Sequence, residues 1–282
     1  MTTVKESFPP AGSYVFDSAQ QPPLIIRELV EVWRYRDLLQ LLVVNSLKTR
    51  YKRSVLGVLW TLLNPLLNTA VLTIAFSQLF RFAIEAYPVY LLAGLVAWGY
   101  FSATLNQSLS KVVWGSALIK RIYLPRVVFV LAVLGNGLVN LVVSLLPLAI
   151  VMLIFGVEFR PALLFLPVAV LLLSMFTLGL SLLLSTLAVY FTDVVDLTSV
   201  VLSAWFYLTP IIYPRSIFPA GFEFVLWLNP LTSLIDLFRA PVFSGSLPDA
   251  ASLILASVYS IAFLVIGWLV FAARSDDFAY RL

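Results

Sequence analysis

The stretch VVFVLAVLGNGLVNLVVSLLPLAIVMLIF, residues 127–155, runs for 29 residues without one ionisable side chain. A helix needs about 20 apolar residues to cross a hydrocarbon layer of roughly 30 Å. A charge at its centre costs about 2.5–3.5 kcal/mol on insertion scales, so membrane spans show up as gaps between charges. Working outward from this segment, comparable gaps lie at residues 54–80, 86–110, 161–192, 197–214 and 250–273. They predict six transmembrane helices at about 56–80, 88–110, 127–155, 162–190, 194–213 and 251–273. The fifth is the shortest and carries Pro210 near its end. About fifty residues precede the first gap, and no small-residue cleavage site follows it, so it reads as an anchor and not a signal peptide.

Composition agrees. Of 282 residues, 61% are hydrophobic, 14% aromatic and only 11% charged. Soluble domains run at about 45–50% apolar and about 25% charged. The expected class is therefore an all-α polytopic membrane protein. The chain has neither Cys nor His, which removes disulfides, thiol nucleophiles, imidazole acid–base catalysis and Cys/His zinc sites.

Basic residues set the expected orientation. With six spans, 14 of the 18 Lys and Arg fall on the side that holds both termini and the loop after the second span. Only Arg81, Arg160, Arg215 and Arg239 fall on the other. Both termini are thus expected in the cytoplasm, in a multi-pass protein of the cytoplasmic (inner) membrane. The net charge of +4 serves orientation, and no clustered basic face suggests a nucleic-acid partner.

Outside the spans, residues 1–23 read as an irregular cytoplasmic tail and 274–282 as a short one. Residues 24–53 begin with apolar positions at helical spacing, among them Leu24, Leu29, Val32, Trp33, Leu38, Leu39 and Leu42, interleaved with Arg27, Arg34 and Arg36. This is an amphipathic helix with a Trp on its apolar side, suited either to the membrane surface or to packing on the bundle. Lys48, Arg50, Lys52 and Arg53 then form a basic anchor that could also meet anionic lipid or a phosphorylated substrate. The loop at 116–125 mixes apolar Leu118, Ile119, Ile122 and Leu124 with Lys120, Arg121 and Tyr123, and Pro125 ends it. That pattern suits a docking surface or an anchoring loop. Residues 218–243 hold apolar runs too short to span, broken by Pro219, Pro230 and Pro241. They read as a re-entrant or interfacial segment at the outer face.

Little covalent chemistry remains. There is no GxxxxGK[ST] motif to cradle nucleotide phosphates and no metal constellation. The span interiors lack the ionisable relays of ion-driven carriers, which disfavours such a carrier, although backbone carbonyls can bind Na⁺, and points to another polypeptide as the energy source. The spans are instead rich in aromatics. Trp60, Phe76, Trp98, Tyr100, Phe101, Trp205, Phe206, Tyr207 and Tyr213 are candidates to line a pathway and stack on sugar rings, or else to pack and belt the bundle.

Several stretches together carry a resemblance. VLGVLWTLLNPLLNTAVLTIAFSQLF (55–80), LIKRIYLPR (118–126), FYLTPIIYPRSIFP (206–219) and LNPLTSLIDLFR (228–239) closely resemble the permease subunit of polysaccharide ABC exporters, the type-2 export group that moves O-antigen, capsule and teichoic acid chains. The resemblance covers roughly residues 24–273; Thr192 before Asp193 departs from it, since many members carry Arg there. It implies a homodimer of six-span half-channels, bound to two copies of a P-loop ATPase that hold the ATP and Mg, with no cofactor in this chain. It also implies that Leu118–Pro125 form the coupling element, and that Arg27, Trp33, Arg34, Lys48, Arg50, Lys52 and Arg53 border entry of the lipid-linked polysaccharide. Two other functions stand beside this one. A small-molecule or drug exporter of the same superfamily would lack a need for the outer segment. A transferase acting on lipid-linked sugars would have to use Asp193 and Asp196, the one carboxylate pair at a cytoplasmic turn.

Overall fold

The structure, a computed structural model, describes residues 32–51, 59–80, 84–114, 126–217, 221, 223–275 and 277–278. Among them it is all-helical and contains no strand. The helices are α1 (Arg36–Tyr51), α2 (Leu59–Phe80), α3 (Tyr87–Trp114), α4 (Val127–Ile154), α5 (Leu166–Tyr190), α6 (Asp193–Leu208), α7 (Glu223–Leu228), α8 (Pro230–Arg239) and α9 (Ala250–Arg274). A 3₁₀ turn at Pro161–Phe165 leads into α5, and a π-helical turn at Ala240–Ser244 follows α8. Four segments are long and apolar enough to cross a membrane: Tyr87–Trp114, Val127–Ile154, Pro161–Tyr190 and Ala250–Arg274. α2 also carries an apolar stretch at Leu62–Phe76.

The fifth predicted span ends early. α6 stops at Leu208, and its C-cap Thr209 is extended at φ −100° and ψ 133°. Pro210 explains this, because a residue before proline is pushed out of the helical region and proline offers no N–H. At 16 residues α6 is about 24 Å long at 1.5 Å per residue.

α3 forms the middle of the bundle and packs on α4, α5, α2, α6 and α8. Its burial is the deepest of any span, with Leu91, Leu92, Ala93, Phe101 and Leu105 in the core. At one end of the bundle, Val112, Val127, Val189 and Phe271 form a second apolar cluster. The periodic face of α1 covers it: Leu38, Leu39 and Leu42, with Tyr35 and Val32 just before the helix, pack there. The amphipathic helix therefore packs on the bundle. Its Trp33 does not join that face and is 71% exposed, with the Arg36 guanidinium 5.0 Å from its ring. The end carrying α1 is called the basic end below, and the other the far end.

The last span is capped by a carboxylate. Asp249 accepts the backbone N–H of Ser252 at 2.9 Å, and this bond holds its carboxyl below the usual carboxylate range. The folded state then binds the proton less tightly than the unfolded one. The stabilisation is complete at neutral pH and is lost as pH falls through the folded value. Asp249→Ala is expected to cost about 1 kcal/mol at pH 7. Thermal unfolding of wild type and variant at pH 7 and under strong acid should show the gap closing as pH falls.

Candidate functional site

Between α2, α3 and α4, with Phe206 of α6 at its edge, lies a cleft of about 480 Å³. Helical spacing aims its polar groups. Asn64 and Asn68 are four apart on α2, Asn140 and Ser144 are four apart on α4, and Tyr100, Thr104 and Gln107 follow one stripe of α3. Asn68 Nδ2 donates to Asn64 Oδ1 at 2.8 Å. Ser144 Oγ donates to the Asn140 carbonyl at 2.8 Å. Among the described residues, none that lines it is charged. Gly137 permits the close approach of α3 and α4 here, since a Cβ on it would lie 2.3 Å from Thr104 Oγ1 and 3.0 Å from the Tyr100 ring. Toward the basic end, Gln107 also lines a second cavity of about 390 Å³ with Asn106, Ser110, Lys111 and Trp114.

The aromatics expected along a pathway divide into groups. Trp60, Trp98, Tyr100 and Phe206 line this cleft, and Trp60 is 51% exposed. The Trp98 ring stands 5.4 Å from that of Phe206, while the Tyr100 hydroxyl is turned away and donates to Ser174 Oγ at 2.8 Å. Phe101 and Trp205 sit behind them in edge-to-face contact at 5.7 Å, and Phe101 has no exposed surface. Phe76 packs partly buried against the core. Tyr207 is exposed near the far end of α6, where its carbonyl accepts the Tyr213 hydroxyl.

At the basic end, Arg34 and Lys48 are exposed, and Arg50 belongs to the last turn of α1. Arg27, Lys52 and Arg53 lie outside the described residues, as do Leu118, Ile119, Lys120, Arg121, Ile122, Tyr123, Leu124 and Pro125. Asp193 and Asp196 are exposed in the first turn of α6, where carboxylates complement the helix N-terminus.

The far end holds a buried polar knot that nothing in the local sequence announces. Beyond α6 the carbonyls of Pro210 and Ile211 accept Arg239 Nη1 and Nη2 at 3.0 and 3.1 Å. The Ile212 and Tyr213 carbonyls accept the hydroxyls of Tyr87 and Tyr90 at 2.7 and 3.0 Å. The Arg239 guanidinium also lies over the Tyr90 ring at 3.8 Å and is 3.7 Å from Asp236, which pairs in addition with Arg215. Asn229 ties the α6 end to the start of α8, accepting from Trp205 Nε1 at 2.9 Å and from the Leu231 N–H at 3.1 Å, and donating to Thr209 Oγ1 at 2.9 Å. Those carbonyls have no helical partners because Pro210 has opened the chain. Residues from α3 and α8 therefore take the place of the missing turn.

Comparison with known proteins gives concordant matches. The family model described as ABC-2 type transporter matches residues 37–243. The O-antigen export system permease protein RfbA of Myxococcus xanthus is 32% identical over 257 residues, covering 90% of this chain and 99% of that protein. A protein of the same name from Klebsiella pneumoniae is 34% identical over 215 residues, 75% of this chain and 82% of that protein. The polysialic acid transport protein KpsM of Escherichia coli is 24% identical over 241 residues, 83% of this chain and 92% of that protein.

Proposed function

This chain belongs to the ABC-2 type transporter family, and from that premise we propose that it is the permease subunit of an exporter of O-antigen-class polysaccharide. The observation that carries the reading is similarity across nearly the whole length of an O-antigen export permease. The cleft supports it chemically. Aromatic faces beside carboxamides and hydroxyls are the groups that bind sugar rings, offering stacking surfaces and donors and acceptors for hydroxyls.

The mechanism follows from what residues 116–125 connect along the chain. They form the loop that joins α3 to α4, two of the helices that wall the cleft. In this reading a P-loop ATPase subunit grips that loop, and closure of two ATPases on ATP pushes the loops of two permease copies. A push there shifts α3 against α4 and changes the cleft between them. The chain itself forms no covalent bond with the substrate, and ATP and Mg stay in the partner. All six helices, α2 and α6 included, cross the inner membrane in this arrangement, with both termini in the cytoplasm. The exposed Trp33 edge of the N-terminal region, with Arg34 and Lys48, faces the lipid surface from which a lipid-linked chain would enter.

The test is ATP-driven movement of a polyprenyl-diphosphate-linked polysaccharide into vesicles that contain the permease and a partner P-loop ATPase. Arg121→Glu combined with Tyr123→Ala is expected to insert normally, to lower export by about tenfold or more, and to remove the stimulation of ATP hydrolysis by polymer. Export at the wild-type rate by the double variant would overturn the docking role. Failure of the wild-type complex to move any polysaccharide would overturn the function.

A further inference from the structure

We infer that the α2–α3–α4 cleft is a sugar subsite selective for uncharged residues of the polymer, read through Asn64, Asn68, Thr104 and Gln107. This rests on the export function proposed above and names the chemistry its substrate must present.

Three observations carry it. First, the described residues of the lining offer carboxamides, hydroxyls and aromatic faces and no charged side chain. A carboxylate or phosphate entering this space would lose water and find no cation in return, which disfavours anionic polymers strongly. A hydroxyl-bearing ring loses far less, because amide groups replace its water. Second, the Asn68–Asn64 bond uses the Asn64 oxygen and one Asn68 hydrogen. The Asn64 amino group and the Asn68 oxygen remain as a donor and an acceptor side by side, the pair that adjacent sugar hydroxyls require.

Third, Thr104 is only 1% exposed and its hydroxyl has no partner. Buried hydroxyls in apolar helices commonly donate to the carbonyl four residues earlier. Ser110, Ser144, Ser174, Thr177 and Thr198 all do so here. Of the buried hydroxyls without a partner among the described residues, Thr104 is the one that lines the cleft. Leaving such a group unpaired costs free energy that a bound ligand would recover. The half-exposed Trp60 ring supplies a stacking face, and the volume falls within the roughly 300–1,000 Å³ of small-ligand sites.

The test uses the reconstituted permease–ATPase complex with two probes on one polyprenyl-diphosphate carrier, a neutral mannose homopolymer and an anionic polysialic acid chain. Wild type is expected to export the neutral chain about tenfold faster or more. Thr104→Val and Asn68→Leu should each raise the KM for the neutral chain about five- to tenfold, and Thr104→Ser should restore it. Gln107 is exposed, so a longer side chain there meets no packed core. Gln107→Lys should shift the neutral-to-anionic ratio toward the anionic chain by about fivefold or more. Equal export of both chains by wild type, or an unchanged ratio in Gln107→Lys together with an unchanged KM in Thr104→Val, would overturn the subsite while leaving export intact. No export of either chain would overturn the export function, and the subsite with it.

Discussion

Gly267→Val is expected to lower both the yield of folded protein in the membrane and its unfolding temperature sharply. α5 and α9 share the most extensive packing of any described helix pair, and their backbones touch where Gly179 meets Gly267. A Cβ on Gly267 would lie 1.9 Å from the Gly179 carbonyl oxygen, and a Cβ on Gly179 would lie 2.3 Å from the Phe263 backbone. Both obstacles are backbone, so no rotamer change relieves them and the helices must part. Parting breaks the Ser260 hydroxyl bond to the Leu172 carbonyl at 2.8 Å and pulls Phe263 from Phe176, whose rings are 5.0 Å apart. Lipid tails are as apolar as the side chains, so helix association here depends on close packing and such polar contacts. The cost is about 3 kcal/mol or more, a large part of a typical total of roughly 5–15 kcal/mol. Gly99→Ala provides the contrast. Nothing lies within 4 Å of its added Cβ, and removing a helical glycine stabilises by about 0.5–1 kcal/mol. Yield and thermal aggregation in detergent should separate the two variants clearly. Wild-type accumulation and unfolding temperature in Gly267→Val would show that the seam is not needed.

What could be read from the sequence was what each residue decides alone. The cost of a charge in lipid belongs to that charge, so the gaps located the long helices, and Val127–Ile154 ends within one residue of its expected limit. What could not be read depends on pairs far apart in the chain. Arg239 reads as an ordinary outer-loop cation until the fold places it against carbonyls 28 and 29 residues earlier. Asn64 and Asn68 interrupt an apolar stretch at helical spacing, yet nothing local shows that they line one cleft with Asn140 and Thr104. The same holds for the aromatics. Trp98 and Phe101 are three apart, and only packing decides that one lines the cleft while the other is wholly buried. α1 shows both sides of this. Its period was legible, but the face that meets the bundle runs through Leu38 and Leu42 and leaves Trp33 outside.

Arg239→Met should produce the next largest loss, concentrated at the far end. The methionine keeps the apolar stem but removes every donor, which orphans the Ile211 carbonyl and leaves the Pro210 carbonyl only the Tyr90 hydroxyl at 3.4 Å, in a site where Arg239 itself is 5% exposed. A buried acceptor stripped of its partner costs roughly 1–3 kcal/mol, so losing the Ile211 bond outright and the shorter of two bonds at Pro210 brings the total to about 2–3 kcal/mol. The cation over the Tyr90 ring is lost as well. Asp236 keeps Arg215, so no carboxylate is left alone, which holds the cost below that of breaking an isolated buried pair. Arg239→Lys retains the charge but not the planar fork, and one ammonium cannot hold two successive carbonyls as a guanidinium does. It should fall between wild type and Arg239→Met. Tyr90→Phe removes the bond to the Tyr213 carbonyl and the longer one to the Pro210 carbonyl at 3.4 Å, together about 1 kcal/mol. The expected order of destabilisation is Arg239→Met, Arg239→Lys, Tyr90→Phe. Because the knot holds the open chain after Thr209, the same order should appear in the rate at which protease added at that face cuts residues 209–214. Thermal unfolding gives the first order and timed proteolysis the second. If Arg239→Lys matched wild type in both, a point charge would suffice and the forked grip on two carbonyls would not be what holds the broken helix end in place.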